Sequence, residues 1–352
     1  MNGKKLLYIV CALIISILAI VIGNKLSNKA PSESEKRFFP ELTENTISSV
    51  QIVDNNDSIR LKRKGDIWFV MQGKDVKSSD ETLEPVISKE SSDSVAGSDI
   101  GSSIKEYPAD SASVRTLLEK IVNMKKDELI STNPEKQTIF EVDSSSGILV
   151  EVQDNSRKSH GQFRIGKSGP NWNSNYVRLI GSNSVYMVSG SIKHSFFTDL
   201  KRWRDKSIIK FEKSGAKGIS IAKKDAAPVI LEKSDTIWNM AAPEQHPAKK
   251  EKVEEIINSL FNLKATDFEN DTISDTDAGF NNPEYVVVVS LNSGSKKVIV
   301  GNKTDSNKYR VKTEDKKTVF LVNESVINKF DVDLQDLKAE KIEDSDTTKS
   351  DS

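Results

Sequence analysis

Residues 107–124 read YPADSASVRTLLEKIVNM, and residues 246–263 read HPAKKEKVEEIINSLFNL. Aligned on the shared Pro-Ala at an offset of 139, Val114, Leu117, Leu118, Ile121, Val122 and Met124 fall on Val253, Ile256, Ile257, Leu260, Phe261 and Leu263. Apolar residues at i, i+3, i+4, i+7 and i+8 form one buried stripe on a helix. The chain therefore carries the same amphipathic helix twice, which points to an internal duplication.

The repeat extends both ways. Upstream, Ile59-Arg60-Leu61 and Asp66-Ile67-Trp68 match Val229-Ile230-Leu231 and Thr236-Ile237-Trp238 at an offset of 170. Downstream, Phe140-Glu141-Val142-Asp143 aligns with Ala278-Gly279-Phe280-Asn281, and Ile148-Leu149-Val150 with Val286-Val287-Val288, both at 138. Phe163-Arg164-Ile165-Gly166 then meets Val298-Ile299-Val300-Gly301 at 135, Tyr176 meets Tyr309 at 133, and Val185-Tyr186-Met187-Val188 meets Val319-Phe320-Leu321-Val322 at 134. Pairing Asn133-Pro134 with Asn282-Pro283 needs an offset of 149 and breaks this series. Glycines such as Gly147, Gly161, Gly181 and Gly294 punctuate the extended runs, as hairpins require. Trp68 and Trp238 stand at matched strand positions, where a large aromatic anchors a core. The expected fold class is α+β: two tandem, internally repeated β-rich domains, each with one main amphipathic helix packed on antiparallel sheet. Each copy reads as three short strands, the helix, four further strands and a terminal helical turn.

The drop in offset from 170 to 139 locates an insertion in the first copy at 73–103, a stretch of 31 residues with nine serines. Such composition buries too little apolar surface to offset ordering entropy, so a disordered loop is expected there. The expected organisation is repeat domain 1 at 47–206, a connector at 207–216, repeat domain 2 at 217–338 and a disordered polar tail at 339–352. Residues 24–46, with Pro31 and Pro40, read as a linker, in which Phe38 and Phe39 are expected to pack on the first domain.

Ahead of that linker, Leu6 to Ile22 are 17 consecutive residues without a charge. A helix of that length is within the range that spans a hydrocarbon core of about 30 Å. Lys4 and Lys5 precede it, and the positive-inside tendency places 1–5 in the cytoplasm, 6–23 in the membrane as a single-pass anchor, and the bulk of the chain outside the cytoplasm. The anchor is thus carried by Lys4, Lys5 and the run from Leu6 to Ile22. A cleaved signal peptide competes with this reading, but a small-x-small cleavage pattern is hard to find near Gly23 or Ala30. Cys11 reads as an ordinary membrane thiol.

Composition excludes several classes. Among 352 residues, 51 Lys and Arg face 52 Asp and Glu, which leaves no basic surplus for a nucleic-acid backbone. A single cysteine excludes an intramolecular disulfide and a cysteine zinc cage. Gly166-Lys167-Ser168-Gly169 and Gly181-Ser182 read as hairpin turns, since neither completes a nucleophile elbow. Asp275-Thr276-Asp277-Ala278-Gly279 lacks the later ligands of a calcium loop and reads as a solvated loop. His160, His194 and His246 are far apart and read as surface or half-buried histidines. Lys201-Arg202-Trp203-Arg204-Asp205 has its counterpart at Gln335-Asp336-Leu337-Lys338, so Trp203 is expected to pack like Leu337 and its charged neighbours to face water. No phosphate-binding loop is read in the chain, and no catalytic, metal or cofactor-binding residue is assigned.

GDIWFV at 65–70, YPAD at 107–110, STNPEKQTIFEVD at 131–143, RIGKSG at 164–169, VYMVSG at 185–190 and WRD at 203–205 together resemble the bacterial family called domain of unknown function 4340. SDTIWNM, DAGFNNP and VFLV show similar signals in the second copy. The resemblance implies an envelope protein encoded beside ABC-type transport components similar to those associated with gliding motility. The expected function is that of a non-catalytic, membrane-anchored, extracytoplasmic binding or scaffold module at a bacterial cell (inner) membrane. Its expected partners are an ABC-type permease or ATPase, or other envelope proteins, and the bilayer itself. The competing expectations are an extracytoplasmic hydrolase or a small-molecule-binding protein.

Overall fold

The structure, a computed structural model, describes residues 36–72 and 105–340. The anchor with Lys4, Lys5, Leu6, Cys11 and Ile22, the insertion at 73–103 and nearly all of the tail lie outside the described residues. The chain divides into two compact units between Arg204 and Asp205.

In the first unit the strands are β1 (Ile47–Asp54), β2 (Asp57–Lys64), β3 (Ile67–Gln72), β4 (Glu106–Pro108), β5 (Glu128–Ser131), β6 (Ile148–Asp154), β7 (Ser159–Ser168), β8 (Ser174–Leu179) and β9 (Val185–Ser189), with helix α1 at Ser111–Val122. They form one antiparallel sheet in the order β4-β3-β2-β1-β6-β7-β8-β9-β5. The seven strands read from the sequence are all present. The two added ones, β4 and β5, are edge strands too short for an alternating pattern to mark.

The second unit has β10 (Ser207–Lys210), β11 (Ala216–Lys223), β12 (Val229–Ser234), β13 (Ile237–Ala242), β14 (His246–Pro247), helix α2 (Lys250–Leu260), β15 (Asn262–Lys264), β16 (Asp267–Phe268), β17 (Tyr285–Leu291), β18 (Gly294–Lys303), β19 (Lys308–Thr313) and β20 (Phe320–Asn323). Its nine-stranded order is β14-β13-β12-β11-β17-β18-β19-β20-β16, the order of the first unit strand for strand. β10 and β15 pair separately.

Each helix buries the stripe that its spacing predicts: Val114, Leu117, Leu118 and Ile121 in α1, and Val253, Ile256, Ile257 and Leu260 in α2. The Asp110 side chain accepts from the Ser113 amide and caps α1, whereas Lys249 gives α2 no side-chain cap. The terminal turns match closely. Asp199 caps Leu200–Trp203 and Asp333 caps Leu334–Leu337. The Trp203 carbonyl accepts from the Asp110 amide and the Leu337 carbonyl from the Lys249 amide, both at 2.7 Å. Trp203 and Leu337 are buried, as are Trp68 and Trp238. Arg204, expected to face water with the other charged neighbours of Trp203, is buried too, its guanidinium stacked 3.8 Å from the Tyr107 ring centre.

The connector contains β10, and the described part of the linker makes an equivalent but isolated bridge from Arg37 to Lys125. The Lys126 amide donates to the Lys36 carbonyl and the Ala265 amide to the Lys206 carbonyl, each at 2.8 Å. Phe38 and Phe39 are buried, as are Ile208 and Ile209 at the same offset of 170. These segments lack a long apolar alternation because only two or three side chains of each reach the core.

Two sequence matches shift by one residue. Ile165 lies opposite Ile148 and Val300 opposite Tyr285, so Val150 corresponds to Val287 rather than Val288. Val177 lies opposite Ile165 and Val311 opposite Val300, so Tyr176 corresponds to Arg310 rather than Tyr309. A one-residue slip in a strand moves every side chain to the other face. Four consecutive valines at 286–289 carry no phase of their own, and the shared tyrosine was a misleading landmark.

Candidate functional site

The two units differ in chemistry on the sheet face turned away from the helix. Along β8, Val177 belongs to the main core, so its neighbours Tyr176 and Arg178 point to the other face. Over that face in each unit lies a turn built around a left-handed residue, Glu141 (φ 56°) in the first and Gly279 (φ 79°) in the second. The turn presses on a strand glycine. A Cβ on Gly166 would sit 2.1 Å from the Phe140 carbonyl oxygen, and one on Gly301 would sit 2.0 Å from that of Ala278. Only a residue without a side chain allows this approach.

Around this common pin the chemistry diverges. In the first unit Val142, Tyr176 and Val185 form a small apolar cluster with Ile130 and Phe140, and the Phe140 and Tyr176 rings lie 4.7 Å apart. Tyr176 corresponds to Arg310 by strand register, and Ile130 follows Leu129 as Glu269 follows Phe268, the two residues that the register matches. There the Arg310 Nε donates to Glu269 Oε2 at 2.8 Å and its Nη1 to Asn302 Oδ1 at 2.7 Å.

One step along the same strands, Arg164 and Arg178 of the first unit lie directly opposite each other and are buried. Arg178 Nε donates to the Val142 carbonyl at 2.8 Å and Nη1 to that of Ser182 at 3.2 Å. Their counterparts are Ile299 and Lys312. With a shorter side chain at 299, the second unit has an open hollow of about 420 Å³ at this position. Asp271, Asp275, Lys312, Glu314, Lys316 and Lys317 rim it, and Ile273, Ile299 and Val319 supply its apolar lining. Lys312 Nζ bonds Asp275 Oδ2 at 2.6 Å and stands 4.5 Å from the Phe280 ring centre. Glu314 pairs with Lys297 at 2.9 Å. The hollow thus presents paired charges of both signs around a narrow apolar strip.

The residues singled out in the sequence are put to structural use. Asp154 Oδ2 lies 2.7 Å from His160 Nε2 in the β6–β7 turn. The Ser156 hydroxyl first, then His160, hold the Asp154 carboxyl well below the usual carboxylate range. Burial works to raise the Asp143 carboxyl, but hydrogen bonds from the Ser145 hydroxyl and amide leave it below its ordinary value. His246 Nδ1 lies 2.8 Å from the Pro247 carbonyl oxygen, and His194 is exposed. In the Asp275–Gly279 stretch, Asp275 is tied to Lys312 and Asp277 accepts from the Ser274 hydroxyl. Among the described residues no group of three or more His, Cys, Asp or Glu is placed to hold a metal ion.

One motif corrects the sequence reading. GQFRIGKS at 161–168 does carry the letters Gly-x-x-x-x-Gly-Lys-Ser of a phosphate-binding loop. All eight residues lie on β7, paired to β6 and β8, and a hairpin rather than a helix follows. A phosphate cradle needs a loop of free amides opening a helix, and these residues are spent on a sheet ladder.

Fold and site together define a duplicated α+β module, whose two copies share a nine-stranded frame and differ in what they present. The model of the family described as Domain of unknown function (DUF4340) matches residues 102–283 and 238–349, and the chain belongs to that family. The two matches start 136 residues apart, within the range of the internal repeat. No curated protein and no solved structure matches the chain.

Proposed function

We propose that this chain is a non-catalytic, single-pass membrane protein whose tandem units lie outside the cytoplasm and bind another envelope component, as an accessory subunit of an ABC-type transport complex. The hollow of the second unit carries this reading. Its paired lysines and carboxylates around Ile273, Ile299 and Val319 suit a polypeptide segment bearing both charges. The free sheet edges are poorer candidates, because β4, β5, β14 and β16 have only two to four residues each. The run from Leu6 to Ile22, with Lys4 and Lys5 before it, supports the anchor, while among the described residues no helix is long and apolar enough to cross a membrane. A bacterial inner-membrane location follows from the anchor and the family resemblance.

The test is a crosslinked pull-down of the full-length chain in mild detergent, beside the double variant Lys312→Glu with Lys317→Glu. Enrichment of an ABC-type permease or ATPase with the natural chain, and its loss with the variant, is the expected outcome. If both chains bring down the same transport component, the hollow is not the contact. If neither brings down one while a reference membrane complex survives, the accessory-subunit reading fails.

A further inference from the structure

Trp172 is 80% exposed at the tip of the β7–β8 hairpin and has a left-handed backbone, φ 58°. Both features are costly for a tryptophan: the turn, closed by the Trp172 amide on the Gly169 carbonyl, needs the left-handed backbone but not the exposed ring. The corresponding hairpin of the second unit gives its left-handed position to Asn307, a residue that tolerates it, and carries Asp305 beside it. The first unit has asparagines at 171 and 173, flanking the position, yet places the tryptophan there.

The hairpin shares one end of the first unit with the point where the chain enters it. Ser174 lies opposite Ser189, and Met187 opposite Glu128, so the start of β8, the end of β9 and the start of β5 are together. Lys36 and Arg37 join the residues just before β5: the Lys126 amide donates to the Lys36 carbonyl, and Arg37 bridges Lys125. At about 4.8 Å between strands, the tip is on the order of 15 Å from that point. If 6–23 spans a bilayer, a chain of the twelve residues 24–35 reaches at most about 42 Å. On the anchor reading, this end of the unit is therefore the one tethered within that reach of the membrane surface.

The charge at the hairpin fits such a surface. Lys120, Lys125, Lys126, Lys167 and Lys193 join Lys36 and Arg37 there, against Glu119, Asp127 and Glu128, with Glu141, Asp143, Asp54 and Asp57 in the turns that enter β6 and leave β1 at the same end. The hairpin itself lies in a stretch of 44 residues, 155–198, that contains no Asp or Glu. Tryptophan with lysine is the pair that settles at the headgroup level of an anionic bilayer.

We infer that the Trp172 hairpin and the lysines around it dock on the anionic phospholipid headgroups of the bilayer that carries the anchor. The inference rests on the membrane-anchor reading above. Trp68, Trp203 and Trp238 are buried, so Trp172 is the tryptophan that a lipid-borne quencher reaches. The full-length chain is reconstituted into vesicles of phosphatidylcholine and phosphatidylglycerol at about 7:3, with or without a shallow brominated lipid, and flotation is followed by tryptophan emission.

The expected result is co-flotation, with a quenched emission component that disappears in Trp172→Phe. It also shrinks in Lys167→Glu with Lys193→Glu, and between about 50 mM and about 500 mM salt. A chain that floats but shows equal emission with and without bromine overturns the docking and leaves the anchor standing. A chain that does not float overturns the anchor itself. Trp172 shielded from both the lipid quencher and aqueous iodide points to a second copy or another protein on the hairpin, and also overturns the inference.

Discussion

At the same place on the sheet the first unit packs half-buried Ile130 and Phe140 against Tyr176, and the second sets Glu269, Arg310 and Asn302 in a hydrogen-bonded network. The strand order, the left-handed turn and the glycine beneath it are common to both. The difference teaches that the frame is specified by backbone fit, while the side chains on the face away from the helix are free to change. One copy uses that freedom for a small apolar cluster and two buried arginines, and the other for a polar network and an open hollow.

The largest effect is expected where the copies agree. Gly166→Ala and Gly301→Ala each drive a Cβ into a carbonyl oxygen that cannot rotate away, so each should cost its own unit about 3 kcal/mol or more. Urea unfolding read from both units checks this. A cost below about 0.5 kcal/mol for either variant would mean that the turn is not pinned there.

An intermediate effect is expected where they differ. Arg310→Ala strands Glu269, whose side chain is 19% exposed, and should cost about 2 kcal/mol. Putting the first unit's residues in place, Glu269→Ile with Arg310→Tyr, should return stability to within about 1 kcal/mol of the natural chain. If the exchange costs more than Arg310→Ala alone, the two sites are not interchangeable and the comparison fails.

The smallest effect concerns the helices. Asp110→Ala removes the cap of α1 and should cost about 1 kcal/mol, while Lys249→Asp supplies α2 with one and should gain about 0.5–1 kcal/mol. Equal and opposite shifts in the two unfolding transitions would confirm that the copies differ here by a single cap. No shift in either would show that the first turn of each helix is held by tertiary contacts instead.

Much of the frame was legible in the chain because helices and hairpins leave local signals. Although Gly166 and Gly301, which read as hairpin glycines, lie within strands β7 and β18, the stripes from Val114 to Ile121 and from Val253 to Leu260, the tryptophans at 68 and 238 and the match of Trp203 to Leu337 are all visible to a reader of one sequence. The sheet order, the phase of the valines at 286–289 and the pairing of Arg310 with Glu269 were not. Those depend on which strand lies beside which and on which face a residue turns to, and a strand with no alternation of residue type does not record its own phase.

The same division holds for function. By itself the sequence determined a duplicated α+β chain of the DUF4340 family, with an apolar run ahead of it and near-balanced charge. Only the tertiary structure decided that GQFRIGKS is a strand, that Ile299 leaves a hollow where Arg164 fills one, and that Trp172 stands at the end of the unit where the chain enters. Local pattern sets what an element is, but a site is made by residues far apart in sequence, and their meeting is fixed only when the sheet closes its register.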